Sequence, residues 1–552
     1  MQIPTTNAAL VDPRYGVLPR GAAGPPDSGT AVMAPLVKEP ASFNVLSAMM
    51  ALVLCIAIAV AIRLVSDDSS HWFVVPVVAC GVICAIDVVD WLRGRVDTFD
   101  PVAIVGIGGL HFFMTAPLLH VCWNLYLGNT DIIHPPEWRD WLGGMAILNF
   151  LGLVAYRVVR AYSDRRSARR RIARKVWIID PNKFRNAIWP AMLLTALLQI
   201  YVYASFGGIG GYISEYESIS QKRHSSRNHE AAPIAFVGFG TSFTISESFP
   251  ILAMMAYAVY MRRRGKKISW PTFFAVMAIY LVLKIFFGGL RGSRSETMFA
   301  MTFAAGMVHF YLRAIPKKIF LVGLCLMVVY LYVYGFYKNG GRAGIRALMD
   351  SEARGRISKK IGRSYVSILL GDLARADIQA HLLYRFMDPN SDVDYDYGGT
   401  YWRGAVVFIP RALWRNRPDA KHRVLTEAQH GKGTYDPKNN SSSHVTGMAG
   451  EAMLNFGPYA VPFVFIPFAF LVTTVRRWMH TWHPDDGRRL ILPYFIIFCL
   501  QFLMSDMDND VYSIFKKLLV PVAVLIVSTK RIPLSRYLAA TTNPQAMLQQ
   551  RS

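Results

Sequence analysis

Three arginines lie close together in the C-terminal half of the chain, in the segment Phe408-Ile-Pro-Arg-Ala-Leu-Trp-Arg-Asn-Arg-Pro418. Arg411, Arg415 and Arg417 all fall within seven residues. A guanidinium group is a planar, permanently charged fork that can hydrogen-bond two oxygens of a phosphate or pyrophosphate at once. The spacing therefore predicts an anion-binding segment. The alternative is a solvated basic face that only meets lipid headgroups, and the residue types alone favour neither.

Two titratable residues follow about 30 positions later in the chain. His444 ends the run Ser441-Ser-Ser-His444, and Glu451 stands in Gly450-Glu-Ala-Met-Leu-Asn-Phe-Gly457. Either side chain can take a proton from an attacking hydroxyl group. The alternative for Glu451 is a first-turn acid that the dipole of a following helix stabilises. The alternative for His444 is a solvent-exposed loop histidine.

The elements that must hold these residues are membrane helices. The chain has 552 residues, of which 53% are hydrophobic and 17% are charged, whereas soluble domains carry roughly a quarter charged residues. The apolar residues fall in blocks of about 18 to 25, the length that crosses a hydrocarbon core of about 30 Å. This pattern excludes a soluble multidomain enzyme and a disordered protein. The sequence predicts an all-α, polytopic integral membrane protein.

About twelve apolar blocks can be counted along the chain. They cover about 43–65, 72–92, 101–127, 141–160, 186–206, 243–261, 270–287, 296–313, 318–337, 457–475, 489–504 and 513–529. Every even-numbered block is followed by basic residues, among them Arg93, Arg165, Arg262, Lys317, Arg476 and Lys530. The positive-inside rule then places both termini in the cytoplasm. Topology thus accounts for most of the net charge of +24, and no nucleic-acid partner is expected.

The same pattern divides the chain into five parts. They are a disordered cytoplasmic tail at 1–42, transmembrane helices 1–9 at 43–337, a large outer loop at 338–456, helices 10–12 at 457–529 and a cytoplasmic tail at 530–552. Helical spacing of apolar residues appears in the first half of the loop, at 361–370 and 373–383. The second half, 388–440, is broken by Pro and Gly and is predicted to be irregular. So long a loop on a compact bundle is usually functional.

The motifs of this loop are similar to those of a known family. Ile409-Pro-Arg411, a following aromatic residue, a basic-Pro pair and then Gly450-Glu with Asn-Phe-Gly457 resemble the bacterial oligosaccharide repeat-unit polymerases, that is, Wzy-type O-antigen and exopolysaccharide polymerases. Weaker matches are Thr98-Phe-Asp-Pro101, Phe206-Gly-Gly-Ile-Gly-Gly-Tyr212, Gly288-Gly-Leu-Arg-Gly-Ser-Arg294 and Tyr397-Gly-Gly-Thr-Tyr401. The resemblance covers most of the chain as topology, and its motifs concentrate in 395–457.

The resemblance implies a multi-pass enzyme of the bacterial inner membrane that acts on the outer face. A polymer on undecaprenyl pyrophosphate is transferred from its lipid to the sugar of another lipid-linked repeat unit, with no cofactor and no metal. Its partners are these lipid-linked oligosaccharides, membrane lipid, a flippase and a chain-length regulator. Glu451 or His444 is expected as the base, and Arg411 as the group that stabilises the leaving pyrophosphate. The expected substrate-binding residues are Arg415, Arg417, Arg291, Arg294 and Arg403.

Two other functions fit parts of the pattern. An O-antigen ligase, which moves finished chains to a lipid core, differs from a polymerase here only by the motifs. A secondary transporter of polysaccharide precursors can also have twelve spans with both termini inside. Carriers usually show two similar halves joined by an inner loop, whereas the only large predicted loop here is external and near the C-terminus. Lys284, inside an apolar block, fits either a site or a lysine that snorkels to the membrane surface.

Overall fold

The computed structural model describes most of the chain between residues 44 and 542. The gaps lie at 65–70, 127–134, 169–174, 226–238, 266–267, 289, 291–293, 351, 353, 356–368, 371–372, 410–412, 419–420 and 437–443. The predicted tail at 1–42, the predicted helical spacing at 361–368 and the C-terminal residues from 543 therefore lie outside the described residues.

Helices form wherever the sequence is apolar, because a backbone in hydrocarbon must satisfy its own hydrogen bonds. The first helix, for example, begins after Asn44, whose side chain accepts a hydrogen bond from the N–H of Ser47 at 3.2 Å. The helices up to the predicted outer loop are α1 Val45–Arg63, α2 Val74–Leu92, α3 Pro101–Leu110, α4 Ala116–Cys122, α5 Trp138–Ala168, α6 Pro181–Ser205, α7 Gly208–Ser225, α8 Gly240–Ser246, α9 Phe249–Arg263, α10 Trp270–Phe286, α11 Arg294–Tyr311 and α12 Lys317–Ala347. A π-helical turn, His111–Thr115, joins α3 to α4.

The rest of the chain adds four short helices and then returns to the bundle. These elements are α13 Ala376–Met387, α14 Gly399–Val406, α15 His422–His430, α16 Gly447–Phe456, α17 Val461–Thr481, α18 Leu492–Met504, α19 Met507–Ser528 and α20 Leu534–Thr542. Two strands, β1 Lys175–Ile179 and β2 Thr529–Pro533, form an antiparallel pair in which Lys175 faces Pro533 and Ile179 faces Thr529.

The described part of the chain has nine helical segments that are long and apolar enough to cross a membrane. Two further apolar helices, α10 and α18, are shorter. The prediction of an all-α polytopic membrane protein is thereby confirmed at that level. Each of the twelve predicted blocks falls on helical structure, but the third is divided between α3 and α4 and the sixth between α8 and α9. The count of twelve spans and the cytoplasmic position of the termini stay predictions.

Two local predictions need correction, and two elements were missed. Helix α12 continues ten residues beyond 337, to Ala347, so the predicted outer loop begins inside a helix. The segment 388–440, predicted to be irregular, contains α14 and α15. Both helices have one buried face, with Thr400 and Leu425 among the buried residues, so tertiary packing overrides the weak local pattern. Helix α7 and the two-stranded sheet were not predicted at all.

The centre of the bundle is the contact between α5 and α17. A Cβ on Gly152 of α5 would lie 2.2 Å from a ring carbon of Phe465 in α17, so the absence of a side chain lets the two backbones approach closely. Tyr156 stacks on Phe468 one turn along, with ring centroids 5.3 Å apart.

The connectors after the even-numbered predicted spans all meet at one end, here called the sheet side because it carries β1 and β2. The sheet joins the fourth exit to the twelfth. Hydrogen bonds and one ion pair link the other four exits to these. Arg488, after the tenth span, donates to the carbonyl of Lys175 at 3.0 Å. Arg262, after the sixth, contacts Asp485 at 2.5 Å and the carbonyl of Tyr311 at 2.8 Å, and Lys317, after the eighth, donates to the carbonyl of Trp91. This grouping is the one that twelve alternating spans predict.

Candidate functional site

The four short helices α13 to α16 cover the opposite end of the bundle, here called the cap side. Helix α13 packs on α5, α15 and α16, and α14 packs on α19 and α16. Helix α16 ends at Gly457, whose φ of +83° is a conformation that side chains other than Gly rarely adopt. The chain then enters α17 through Pro458. The short turn between α18 and α19 lies under this cap, which brings the predicted loop residues to the start of α19.

Glu451 is buried at this contact, with 3% of its surface exposed. Its carboxylate Oε2 accepts a hydrogen bond from the backbone N–H of Met507 at 2.7 Å, and the hydroxyl of Thr400 also hydrogen-bonds the carboxylate. The amide of Asn455 donates to the Thr400 hydroxyl at 2.6 Å and to the Glu451 carbonyl at 2.7 Å. Glu451 therefore does not open the tenth span, as one interpretation of the sequence held. It lies in the middle of α16 and accepts the first N–H of another helix, α19.

An ion pair lies beside Glu451. The ammonium of Lys421 contacts the carboxylate of Asp506 and lies 3.9 Å from that of Asp508. Asp506, which is fully buried, also accepts the N–H of Thr446 at 3.0 Å and its hydroxyl at 2.7 Å. Glu451, Lys421, Asp506 and Asp508 are called the carboxylate cluster below. Through these contacts Lys421, Thr446 and Glu451 of the cap are joined to the start of α19.

Burial shifts the pKa values of two members of this cluster, Glu451 and Lys421. It raises the pKa of Glu451 to about 7, although the N–H of Met507, the hydroxyl of Thr400 and the charge of Lys421 oppose the rise. Burial also lowers the pKa of Lys421, and the carboxylates of Asp508 and Glu451 oppose that change. A carboxyl group that titrates near pH 7 can both accept and release a proton under physiological conditions.

The second predicted base, His444, lies three residues before α16 and is exposed. Its imidazole Nδ1 is 3.4 Å from the amide nitrogen of Gln429 in α15. The structure thus places His444 on the surface of the cap and Glu451 in its interior.

The predicted arginines occupy different environments. Arg415 is exposed. Arg417 donates to the backbone carbonyls of Val407 and, at 2.8 Å, of Ile409, so its guanidinium holds the turn after α14. Arg403 pairs with the carboxylate of Asp396.

The side chains of the remaining predicted arginines are not among the described groups. Arg411 and Arg291 lie outside the described residues. Arg294 is the first residue of α11, and only its backbone is described. Whether these three groups meet a pyrophosphate stays a prediction.

Sequence reasoning missed Lys421, Thr400, Asp506 and Asp508. One signal was present, because Asp506-Met-Asp-Asn-Asp510 places three acids in the short turn before an apolar block. Ionisable residues within membrane-spanning helices are rare and often functional, and this run adjoins such a helix. Lys421 and Thr400 carry no such signal, since they stand in ordinary polar stretches.

A second group of ionisable residues lies deeper in the bundle, between α9, α10, α11 and α19. Lys284 contacts Glu247 at 3.0 Å, and Lys516 contacts Glu247 at 2.8 Å and Glu296 at 2.6 Å. Lys517 lies beside them, 5.5 Å from the centre of the Phe299 ring. These five ionisable residues are called the lysine cluster below. Lys284 is 5% exposed, so it does not snorkel to the membrane surface.

Among the described residues no group of three or more His, Cys, Asp or Glu side chains is arranged to hold a metal ion. In the carboxylate cluster the Lys421 ammonium lies against Asp506 and near Asp508, where a bound cation would need to be.

The fold and these clusters define a multi-pass helical membrane protein with a covered, charged site at one end of its bundle. Comparisons of the chain with protein-family models, with curated proteins and with solved structures find no match.

Proposed function

We propose that the protein is a membrane glycosyltransferase that polymerises undecaprenyl-pyrophosphate-linked oligosaccharide repeat units on the outer face of the bacterial inner membrane. The observation that carries the proposal is Glu451, a carboxylic acid with a pKa of about 7 that is buried inside the cap. The motif resemblance in 395–457 supplies the substrate class, and Glu451 lies within those motifs.

In this reaction the acceptor sugar needs a base. Its hydroxyl oxygen attacks the anomeric carbon of the donor sugar, and the bond between that carbon and the pyrophosphate oxygen breaks. The pyrophosphate leaves with the bonding electrons, and the hydroxyl proton passes to Glu451. General-base catalysis of this kind contributes roughly a hundredfold to ten-thousandfold to the rate, most when the pKa of the base lies near the working pH. Arg411 is the proposed partner of the leaving pyrophosphate.

The surroundings of Glu451 suit this role. Thr400 and the N–H of Met507 fix the carboxylate in one orientation, so the enzyme spends no energy in ordering it during the reaction. Lys421 keeps the pKa of Glu451 from rising further. Asp508, 13% exposed at its side chain and 3.9 Å from Lys421, is the most accessible acid of the ion pairs in this cluster.

A secondary transporter of lipid-linked precursors is the second candidate function, and the lysine cluster favours it. Ionisable residues inside a transmembrane bundle often mark an ion or substrate pathway. The polymerase remains the better supported function, because the resembling motifs, Glu451 among them, concentrate in the cap residues 395–457.

Surface polysaccharide from a deletion strain separates the candidates. Loss of the polymerase removes long chains and leaves a single repeat unit attached, whereas loss of a precursor carrier removes the single unit as well. Loss of a ligase leaves polymer on its lipid carrier and none on the lipid core. The polymerase proposal fails if long chains persist in the deletion strain.

The role of Glu451 is tested with purified protein and lipid-linked repeat units. Gln at position 451 keeps an oxygen that can accept the Met507 N–H but removes the base, so Glu451→Gln should bind substrate and not elongate it. Glu427→Gln is the matched control, because Glu427 is a cap-side glutamate that pairs with Arg423 at 3.2 Å within α15. Elongation by Glu451→Gln at the wild-type rate would remove Glu451 from the reaction.

A further inference from the structure

The lysine cluster carries one more positive than negative charge. It contains the ammonium groups of Lys284, Lys516 and Lys517 and the carboxylates of Glu247 and Glu296. Two of the ammonium groups are paired with carboxylates at 2.6–3.0 Å. Among the described residues Lys517 makes no ion pair within 4.0 Å and no hydrogen bond through its side chain, yet it is only 6% exposed. The excess charge is therefore assigned to Lys517.

A small cavity lies among these residues. Four of the five ionisable residues line it, namely Glu247, Lys284, Lys516 and Lys517, together with Tyr280, Phe303 and smaller apolar residues. Its space corresponds to about one water molecule. The cavity can therefore take a monatomic ion but not a phosphate or a pyrophosphate group.

An uncompensated buried charge is costly, and it is normally removed by pairing or by loss of the proton. The rings of Phe299 and Tyr494, with centres 5.5 and 6.0 Å from the Lys517 ammonium, offset only part of that cost. A single negative charge in the cavity would balance the cluster. The two glutamates already hold the other two ammonium groups, so a second negative charge would be in excess.

We propose that the lysine cluster is a binding site for one small monovalent anion, a halide such as chloride, held next to Lys517. The site is independent of the proposed glycosyl transfer. A bound anion would hold α10, α11 and α19 in contact with one another and with Glu247, which lies just before α9. Because α19 also begins at the carboxylate cluster, about 14 Å along its axis from Lys516, an anion here would also stabilise the helix that Glu451 contacts.

The experiment measures the melting temperature of purified full-length protein in detergent. Sodium chloride is titrated against sodium gluconate at constant ionic strength, so that general screening does not change. The melting temperature of the wild type should rise with chloride concentration. Lys517→Met should melt higher than the wild type in gluconate, because it removes a buried unpaired charge, and its apparent chloride affinity should be weaker by at least about tenfold.

Lys530→Met is the matched control, since Lys530 follows the far end of the same helix and its side chain is 61% exposed. It should keep the chloride response of the wild type. A crystal grown in bromide should show an anomalous peak within hydrogen-bonding distance of the Lys517 ammonium. The proposal is overturned if the wild type does not respond to chloride, if Lys517→Met responds as the wild type does, or if inorganic pyrophosphate stabilises the protein where chloride does not.

Discussion

The titration of Glu451 gives a prediction that needs no substrate. Burial raises its pKa from the ordinary 4.5 to about 7. A change of this size alters the free energy between the two charge states by about 3 kcal/mol. Glu451→Gln removes the titrating group while keeping its size and an oxygen that can accept the Met507 N–H. The variant therefore isolates the cost of burying the carboxylate.

The sign follows from proton linkage. The folded protein holds the Glu451 proton more tightly than the unfolded chain does, so the wild type loses stability as the pH rises from about 4.5 to about 7. The free energy of unfolding of Glu451→Gln, minus that of the wild type, should rise from near zero at low pH to about 3 kcal/mol at alkaline pH. Groups that titrate equally in both proteins cancel in this difference.

The assay is chemical denaturation in detergent micelles at closely spaced pH values between about 4.5 and 8, the window set by the two pKa values. Glu451→Ala is the control. It also loses the titrating group, so its free energy of unfolding should vary with pH as that of Glu451→Gln does. It should be lower by about 1–3 kcal/mol at every pH, because the Met507 N–H loses its partner. If the free energies of unfolding of Glu451→Gln and the wild type differ by an amount that does not change with pH, the assignment of a pKa near 7 to Glu451 is refuted.

Three further outcomes are expected. Lys421→Met should cost about 3–5 kcal/mol in the free energy of unfolding, because it leaves the buried carboxylate of Asp506 without its cation; a neutral effect in the same denaturation assay would contradict the ion pair. In a cysteine-free background, Arg415→Cys should react with a membrane-impermeant thiol reagent on spheroplasts and Lys530→Cys should not, and the reverse pattern would invert the topology. Arg411→Lys should slow elongation by roughly tenfold to over a hundredfold, since a point charge cannot replace the planar fork; normal chain length at normal protein level would remove Arg411 from the site.

The fold was largely predictable because the bilayer sets one requirement for every span. A block of about 20 apolar residues has to be helical in hydrocarbon, and all twelve blocks are. This requirement does not apply outside the membrane, because water can hydrogen-bond the backbone there. Helix α14 owes its order to burial against α16 and α19, and α15 to burial against α13 and α16, which no local pattern in 388–440 reveals. The strand pair depends on partners about 350 residues apart.

The site was predictable only in part. Its motif leads to Glu451, because a titratable residue beside an arginine-rich loop is chemically suggestive. Its surroundings could not be found in the same way, since Lys421 and Asp506 are 85 positions apart in the chain and meet only through tertiary packing. Arg417 shows a contact that its type and spacing do not reveal. Its guanidinium donates to two backbone carbonyls of its own segment, and its role as an anion ligand stays a prediction.

The sheet-side strand pair also constrains how the protein can be made. Strand β1 is synthesised early, after the fourth predicted span, but its only paired strand in the described structure is β2, which follows the twelfth. Translation and insertion of the eight intervening blocks must be finished before β1 finds its partner. Closure of this long loop costs conformational entropy, which makes the pairing a late step. A chain truncated after Ser528 would keep β1 but lack β2, and it would leave an unpaired strand edge on the sheet side.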